Sequence, residues 1–246
     1  MSKTLVVVSP DADTLAATVA ARLAIKIIDA QADRGSASIV LTGGRIAAKV
    51  LASLKDLPAA RAVDWAHVDL WWGDERFLPA GDPERNETQA RAAVLDALPL
   101  DPARVHPMAA SDGPDGDDAS AAAARYAREL VTGGADLPPF DVLMLGVGED
   151  GHVASLFPGH PVLNETASTT TATFDSPKPP PTRITLTMPT IQSADEVWLV
   201  AAGPDKTKSV GAALNGDKSL PAAHATGTGR TLWLLDAAAA ADVTAS

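Results

Sequence analysis

Several apolar runs in this chain show no in–out alternation, and that restricts the fold more than any other feature. IVL ends at Leu41, VLML runs from Val142 to Leu145, and VWLV runs from Val197 to Val200. A strand with one wet face alternates apolar and polar residues, whereas a short continuous apolar run needs cover on both faces. Strand-like runs recur near 4–8, 38–42, 67–72, 140–146, 183–187, 196–202 and 231–235. Longer, mostly Ala-rich stretches between them predict helices over 12–32, 44–55, 84–97, 117–131 and 205–214. Strand and helix in alternation predict an α/β fold, a mainly parallel sheet with helices on both faces.

Two segments break this rhythm. Residues 109–118 (AASDGPDGDD) read as a polar loop leading into a helix. Residues 166–182 (TASTTTATFDSPKPPPT) are rich in Thr and Pro and read as an exposed loop or a flap. This second segment is no linker, because strand-like runs of one style flank it on both sides. With 246 residues, 46% of them apolar, length and composition allow one large α/β domain over 1–246 or two small ones.

Composition removes several functions. A net charge of −11 argues against nucleic-acid binding, which draws on many Lys and Arg contacts to phosphate. A few local cations can still hold one phosphorylated small molecule. The chain has no cysteine, which excludes disulfides, thiol nucleophiles and thiolate metal sites. Its five histidines form no close metal-ligand spacing. Of these, His67, His106, His160 and His224 read as structural or exposed. The opening MSKTLVVVSPDAD carries an apolar run of only Leu5 to Val8, short of the roughly 7–15 residues of a signal peptide. No run approaches the roughly 18 apolar residues of a membrane span, so a cytoplasmic protein without membrane contact is expected.

Chemistry concentrates where strand-like runs end, since ligands of open parallel sheets sit at the carboxyl ends of strands. Thr42-Gly43-Gly44-Arg45 follows SIVL and precedes a helical pattern. Its glycines let backbone N–H groups face an anion at a helix N-terminus, with Arg45 adding charge; a tight turn with a solvated arginine is the plainer alternative. Asp74-Glu75-Arg76 follows the run at 67–72 and reads either as a substrate clamp or as a surface ion-pair cluster.

The densest segment is FDVLMLGVGEDGHVASLFPGHP at 140–161. An apolar run empties into glycines at 146, 148 and 151, with Asp150 and His152 at once behind. The segment literally matches the dinucleotide fingerprint G-x-G-x-x-G. However, Pro158, Gly159 and Pro161 cut the required helix short within about two turns. What remains is a histidine, able to move protons near neutral pH, on a turn that brings backbone close to a ligand; a histidine that merely caps the turn is the plainer alternative. Downstream, Arg183 opens RITLTMPT, and Lys206 follows Gly203-Pro204-Asp205, with Lys208 as its competitor. Each taken alone reads equally as a solvated charge; as a set with Arg45 they would form a cationic pocket suited to a phosphorylated substrate.

Four blocks, LTGGR (41–45), WWGDERFLP (71–79), GVGEDGHVASLFPGH (146–160) and RITLTMPTI (183–191), resemble the 6-phosphogluconolactonase family. The third block is the most specific. The wider superfamily also holds glucosamine-6-phosphate deaminases and sugar-phosphate-sensing domains. The resemblance implies a Rossmann-like single domain, no metal and no cofactor, and hydrolysis of 6-phospho-D-glucono-1,5-lactone to 6-phosphogluconate. In that light His152 is the proton carrier, and Asp150 orients it or holds a sugar hydroxyl. Arg45, Arg183 and Lys206 hold the phosphate with the amides of Gly43 and Gly44, while Asp74 and Arg76 complete the substrate site. The deaminases carry a glutamate five residues after this histidine, and here that place is Phe157, which favours lactone hydrolysis. A monomer or weak homodimer is expected.

Overall fold

A computed structural model describes residues 3–131 and 136–243. The chain runs through β1 (Lys3–Ser9), α1 (Ala12–Arg34), β2 (Ala37–Leu41), α2 (Arg45–Ser53), β3 (Val68–Trp72), β4 (Asp74–Arg76), α3 (Asn86–Ala93) and β5 (Val105–His106). It continues through α4 (Ala119–Leu130), β6 (Val142–Gly146), β7 (Thr170–Thr173), β8 (Arg183–Leu186), α5 (Met188–Gln192), β9 (Glu196–Ala201), α6 (Thr207–Leu214) and β10 (Arg230–Asp236). Seven strands form one sheet in the order β1-β10-β9-β6-β2-β3-β5, with every pairing parallel. The order reverses between β2 and β6. From β2 the chain steps outward to β3 and β5; from β6 it steps the other way to β9 and β10. Such a switch opens a crevice beyond the strands' carboxyl ends.

The missing alternation has a direct cause. Ile39, Leu41, Val142, Met144, Trp198 and Val200 enter a core shared with α1 and α2. Their neighbours Val40, Leu143, Leu145, Val197 and Leu199 enter a second core with Tyr126 of α4, Ile184 of β8 and Val210 of α6. Both faces of the central strands are therefore apolar. Asp11 caps α1, accepting the Thr14 N–H at 2.7 Å. Gly35 ends it in the left-handed conformation at φ 77°. Between the caps, Leu15, Val19, Leu23 and Ile27 form a buried stripe. Each such side chain contributes roughly 1.5–3 kcal/mol on burial, well above what caps or propensity add. Truncating one of them is therefore the change that would loosen α1. On the other face, the buried Tyr126 hydroxyl accepts the Trp72 N–H at 2.9 Å and donates to Trp72 O at 3.3 Å. It serves the end of β3 that the two-residue β5 does not reach.

Several expectations need correction. The run at 183–187 does not join the parallel sheet; β8 is the centre of a small antiparallel sheet ordered β4-β8-β7. The segment 166–182 is not wholly loop, since β7 pairs along β8 and buries Thr170 and Thr173. Threonine is β-branched and fits a pleated, half-buried surface, while the prolines that marked the segment as irregular all follow the strand. The stretch 84–97 divides into α3 and a 3-10 turn at Leu95–Ala97, and α6 is preceded by a 3-10 turn at Pro204–Lys206. No helix follows His152; residues 151–160 form turns with one bridge, Val153 to Leu156. Strands β4 and β5 and helix α5 are too short to impose a readable period. No described helix is long and apolar enough to cross a membrane.

Candidate active site

At the switch point the loops leaving β2 and β6 lie side by side, stitched by the Gly146 N–H donating to Thr42 Oγ1 at 3.3 Å. Gly44, at φ 98°, begins α2 with no side chain capping its first N–H groups, which leaves a helix N-terminus facing the crevice. Gly43 has no room for a side chain. A Cβ there would stand 1.8 Å from Asn86 Oδ1. Asn86 is buried, and its Nδ2 donates to Asp74 O at 2.8 Å and Asp74 Oδ1 at 3.3 Å. Its backbone N–H is held by Glu75 Oε1 at 2.7 Å, while Glu75 Oε2 takes the Glu87 N–H at 2.9 Å. Glu75 thus caps α3 from inside the protein. Burial, the largest effect, pushes its carboxyl up to about 7 against the pull of Arg85 and the N–H groups of Glu87, Asn86 and Arg76. This overturns the surface ion-pair alternative for residues 74–76.

The turn after β6 delivers His152. The Gly148 N–H donates to His152 O at 2.9 Å, the Gly151 N–H to Gly148 O at 3.0 Å, and Gly151 sits at φ 81°. Ser209 Oγ ties the turn to α6 through Gly148 O at 2.8 Å. His152 Nδ1 lies 2.5 Å from Asp150 Oδ1. A Cβ on residue 148 would stand 2.1 Å from that Nδ1 and 2.4 Å from that Oδ1, so only glycine leaves space for the pair. Burial works against the Asp150 charge. The bond and charge of His152, its backbone N–H and the charge of Lys178 outweigh it and hold the carboxyl well below the usual carboxylate range. An ionised carboxylate only accepts, so Nδ1 is the donor within this pair and Nε2 is the nitrogen the pair leaves unengaged. The ring leans on Phe157 at a centroid distance of 4.6 Å and remains 17% exposed.

Around it opens a cleft of about 940 Å³. Gly43, Gly44, Arg45, Asp74, Arg76, His152, Arg183 and Lys206 all line it, and Asp150 stands behind His152. The cations differ in setting. Arg45 is 90% exposed and Lys206 21% exposed, and the two flank Asp205 at 3.5 and 3.4 Å. Arg183 is 5% exposed. Its Nε donates to Pro180 O at 3.1 Å, and its Nη2 donates to Pro179 O at 2.9 Å and Lys178 O at 3.2 Å. Burial lowers its pKa from the ordinary guanidinium value. Its guanidinium lies 5.6 Å over the Phe157 ring. Asp74 Oδ2 accepts from Ser155 Oγ at 2.7 Å. Sequence reasoning passed over Lys178, Asn86 and Ser155. Asn86 sits in an unremarkable stretch, Ser155 stands in the densest block but its partner Asp74 is 81 positions away, and Lys178 lies in the segment read as a loop or flap.

A parallel α/β sheet that gathers a histidine–aspartate pair and several cations at its switch point defines an α/β protein with a ligand crevice suited to a small anion. The chain belongs to the glucosamine-6-phosphate isomerase/6-phosphogluconolactonase family, whose model matches residues 10–233. Over 244 residues it is 59% identical to a 6-phosphogluconolactonase of Streptomyces coelicolor, covering 96% of this chain and 94% of that protein. The solved 6-phosphogluconolactonase of Trypanosoma brucei superposes with a TM-score of 0.82 at 28% identity, covering 99% of this chain and all of that one. A monomeric glucosamine-6-phosphate deaminase shares the fold at a TM-score of 0.78 and 19% identity, covering 98% of this chain and 99% of that one.

Proposed function

We propose that this chain hydrolyses 6-phospho-D-glucono-1,5-lactone to 6-phosphogluconate, as a 6-phosphogluconolactonase of the pentose phosphate pathway. One observation carries the chemical reading: His152 is bound to Asp150 through Nδ1 and borders a cleft that also holds Arg45, Arg183 and Lys206. Nε2 takes a proton from water as the water oxygen bonds to the lactone carbonyl carbon. The bond from that carbon to the ring oxygen then breaks, and the imidazolium returns the proton to the departing oxygen. The lactone is an activated ester, so no covalent intermediate is required. The Gly148 and Gly151 amides are engaged inside the turn; Arg76, which lines the cleft, or another amide of the turn faces the developing oxyanion. Arg45 and Lys206, with the amides at Gly43 and Gly44, hold the phosphate, and Arg183 adds charge from the small sheet.

Phe157 supports hydrolysis over deamination, since its ring fills the space beside His152 and supplies no carboxylate there. The working form is a cytoplasmic monomer or weak homodimer that needs no cofactor and binds neither nucleic acid nor membrane. The test is to add purified protein to freshly generated lactone and follow acid release against a blank, with glucosamine 6-phosphate as a parallel substrate. Acid release at the blank rate, or ammonia release from the amino sugar, would overturn the reading.

A further inference from the structure

The segment between β7 and β8 is held unusually firmly for a loop. Within 176–183, Arg183 donates to the carbonyls of Lys178, Pro179 and Pro180. Ser176 Oγ donates to Lys178 O at 2.9 Å, and the Ser176 N–H donates to Pro181 O at 3.0 Å. Four prolines in the same stretch fix φ, so little backbone freedom is left. The side chain this frame presents is Lys178, which lines the cleft. Its Nζ lies 3.1 Å from Glu149 Oε1 and 3.9 Å from Asp150 Oδ1. That same Oδ1 is the atom facing His152 Nδ1. Glu149 is 62% exposed, and an ion pair so open to water stabilises little, so the pair with Glu149 does not account for the framing.

We propose that Lys178 is a positioning residue of the reaction centre, set by the Arg183-bonded loop beside Asp150 to govern how readily His152 takes up and returns its proton. The inference rests on the reading of His152 as proton carrier. A fixed positive charge on the outer side of Asp150 shares the field of that carboxylate with the imidazolium, so the ring holds its added proton less tightly and passes it on more readily. The cleft also carries Glu149 on the same turn, Asp74 and Arg76 from β4, Arg183 from β8, Arg45 from α2, and Asp205 and Lys206 before α6. Among the described lysines and arginines, Lys178 is the one paired with Asp150.

The experiment compares Lys178→Met and Lys178→Arg with the unsubstituted protein. It uses the pH profile of kcat/KM on the lactone and an NMR titration of the His152 ring. Loss of the charge moves the acid limb of the profile and the ring titration together to higher pH by about half a unit. It lowers kcat about three- to tenfold and leaves KM nearly unchanged; Lys178→Arg restores both. Lys178→Gln supplies a second uncharged variant should Lys178→Met fold poorly. An unmoved ring titration, or a rise in KM with kcat intact, overturns the inference; the latter would make Lys178 a ligand of the substrate's anion. Should the unsubstituted protein leave the lactone untouched, the functional reading fails by itself, and the ring titration still decides the role of Lys178.

Discussion

Two histidines stand on different strands of the parallel sheet, one on its edge strand and one beyond its central strand, and both are paired with carboxylates. His106, on β5, has Nδ1 2.8 Å from Glu129 Oε1 and Nε2 3.6 Å from Asp69 Oδ1, and its ring stacks on Trp71 at 3.8 Å. His152, beyond the carboxyl end of β6, has one carboxylate partner on Nδ1 and an open cleft before it. A ring flanked by two acceptors keeps both protons and serves as a fixed cation. A ring flanked by one has a second nitrogen outside the pairing, through which it can exchange a proton with a ligand. Pairing with an acid does not therefore make a histidine reactive; the nitrogen left free, and what that nitrogen faces, decides.

Replacing each ring by glutamine tests this contrast most sharply. His152→Gln lowers kcat by about 10²–10⁴-fold with the melting temperature nearly unchanged, whereas His106→Gln leaves kcat close to its original value. Comparable losses in the two variants would erase the distinction. Next in size is Gly148→Ala. The added methyl has no room beside His152 Nδ1 and Asp150 Oδ1, so the pair must shift by an ångström or more. Displacement on that scale costs on the order of 10²-fold in rate, read as kcat in steady-state kinetics. Normal turnover by this variant would mean that the pair has slack the geometry does not show.

A smaller effect separates chemistry from binding within the cleft. On the proposed reading of Lys206 as a phosphate contact, Lys206→Ala raises KM by about tenfold while kcat holds, because a contact made equally in ground and transition states shows in KM. A fall in kcat at constant KM would move Lys206 from the phosphate to the reacting end.

The turns of the site were far more legible in the chain than the long-range contacts that support them, for a physical reason. Buried strands leave unbroken apolar runs, and glycines mark where the chain must turn, so the turns at Gly43-Gly44 and at Gly146 to Gly151 announce themselves. His152 and Asp150 are two residues apart, and their pairing needs no tertiary information. The rest of the site depends on contacts between distant segments. Ser155 reaches Asp74 across 81 positions, and Lys178 reaches Glu149 across 29. Glu75 caps a helix that starts eleven residues later, a cap no local motif encodes. The surroundings of His106 were hidden likewise, since Glu129 lies 23 residues away on α4.

That second histidine carries the finest test of the contrast. Burial disfavours its charge, but the bonds to Asp69 and Glu129 and their charges prevail and raise its pKa from 6.5 to about 9. The folded chain therefore holds a proton that the unfolded chain releases between pH 6.5 and about 9. The stabilisation is complete below that window and fades as pH rises through it. Solvent reaches the ring and Glu129, and Arg104 already holds Asp69 at 2.8 Å. The contribution is thus about 1 kcal/mol after screening. Denaturant unfolding of His106→Gln against the unsubstituted protein should show the variant less stable by about that much at pH 6, with the two curves converging near pH 9. Curves that stay parallel would deny His106 the fixed charge that sets it apart from His152.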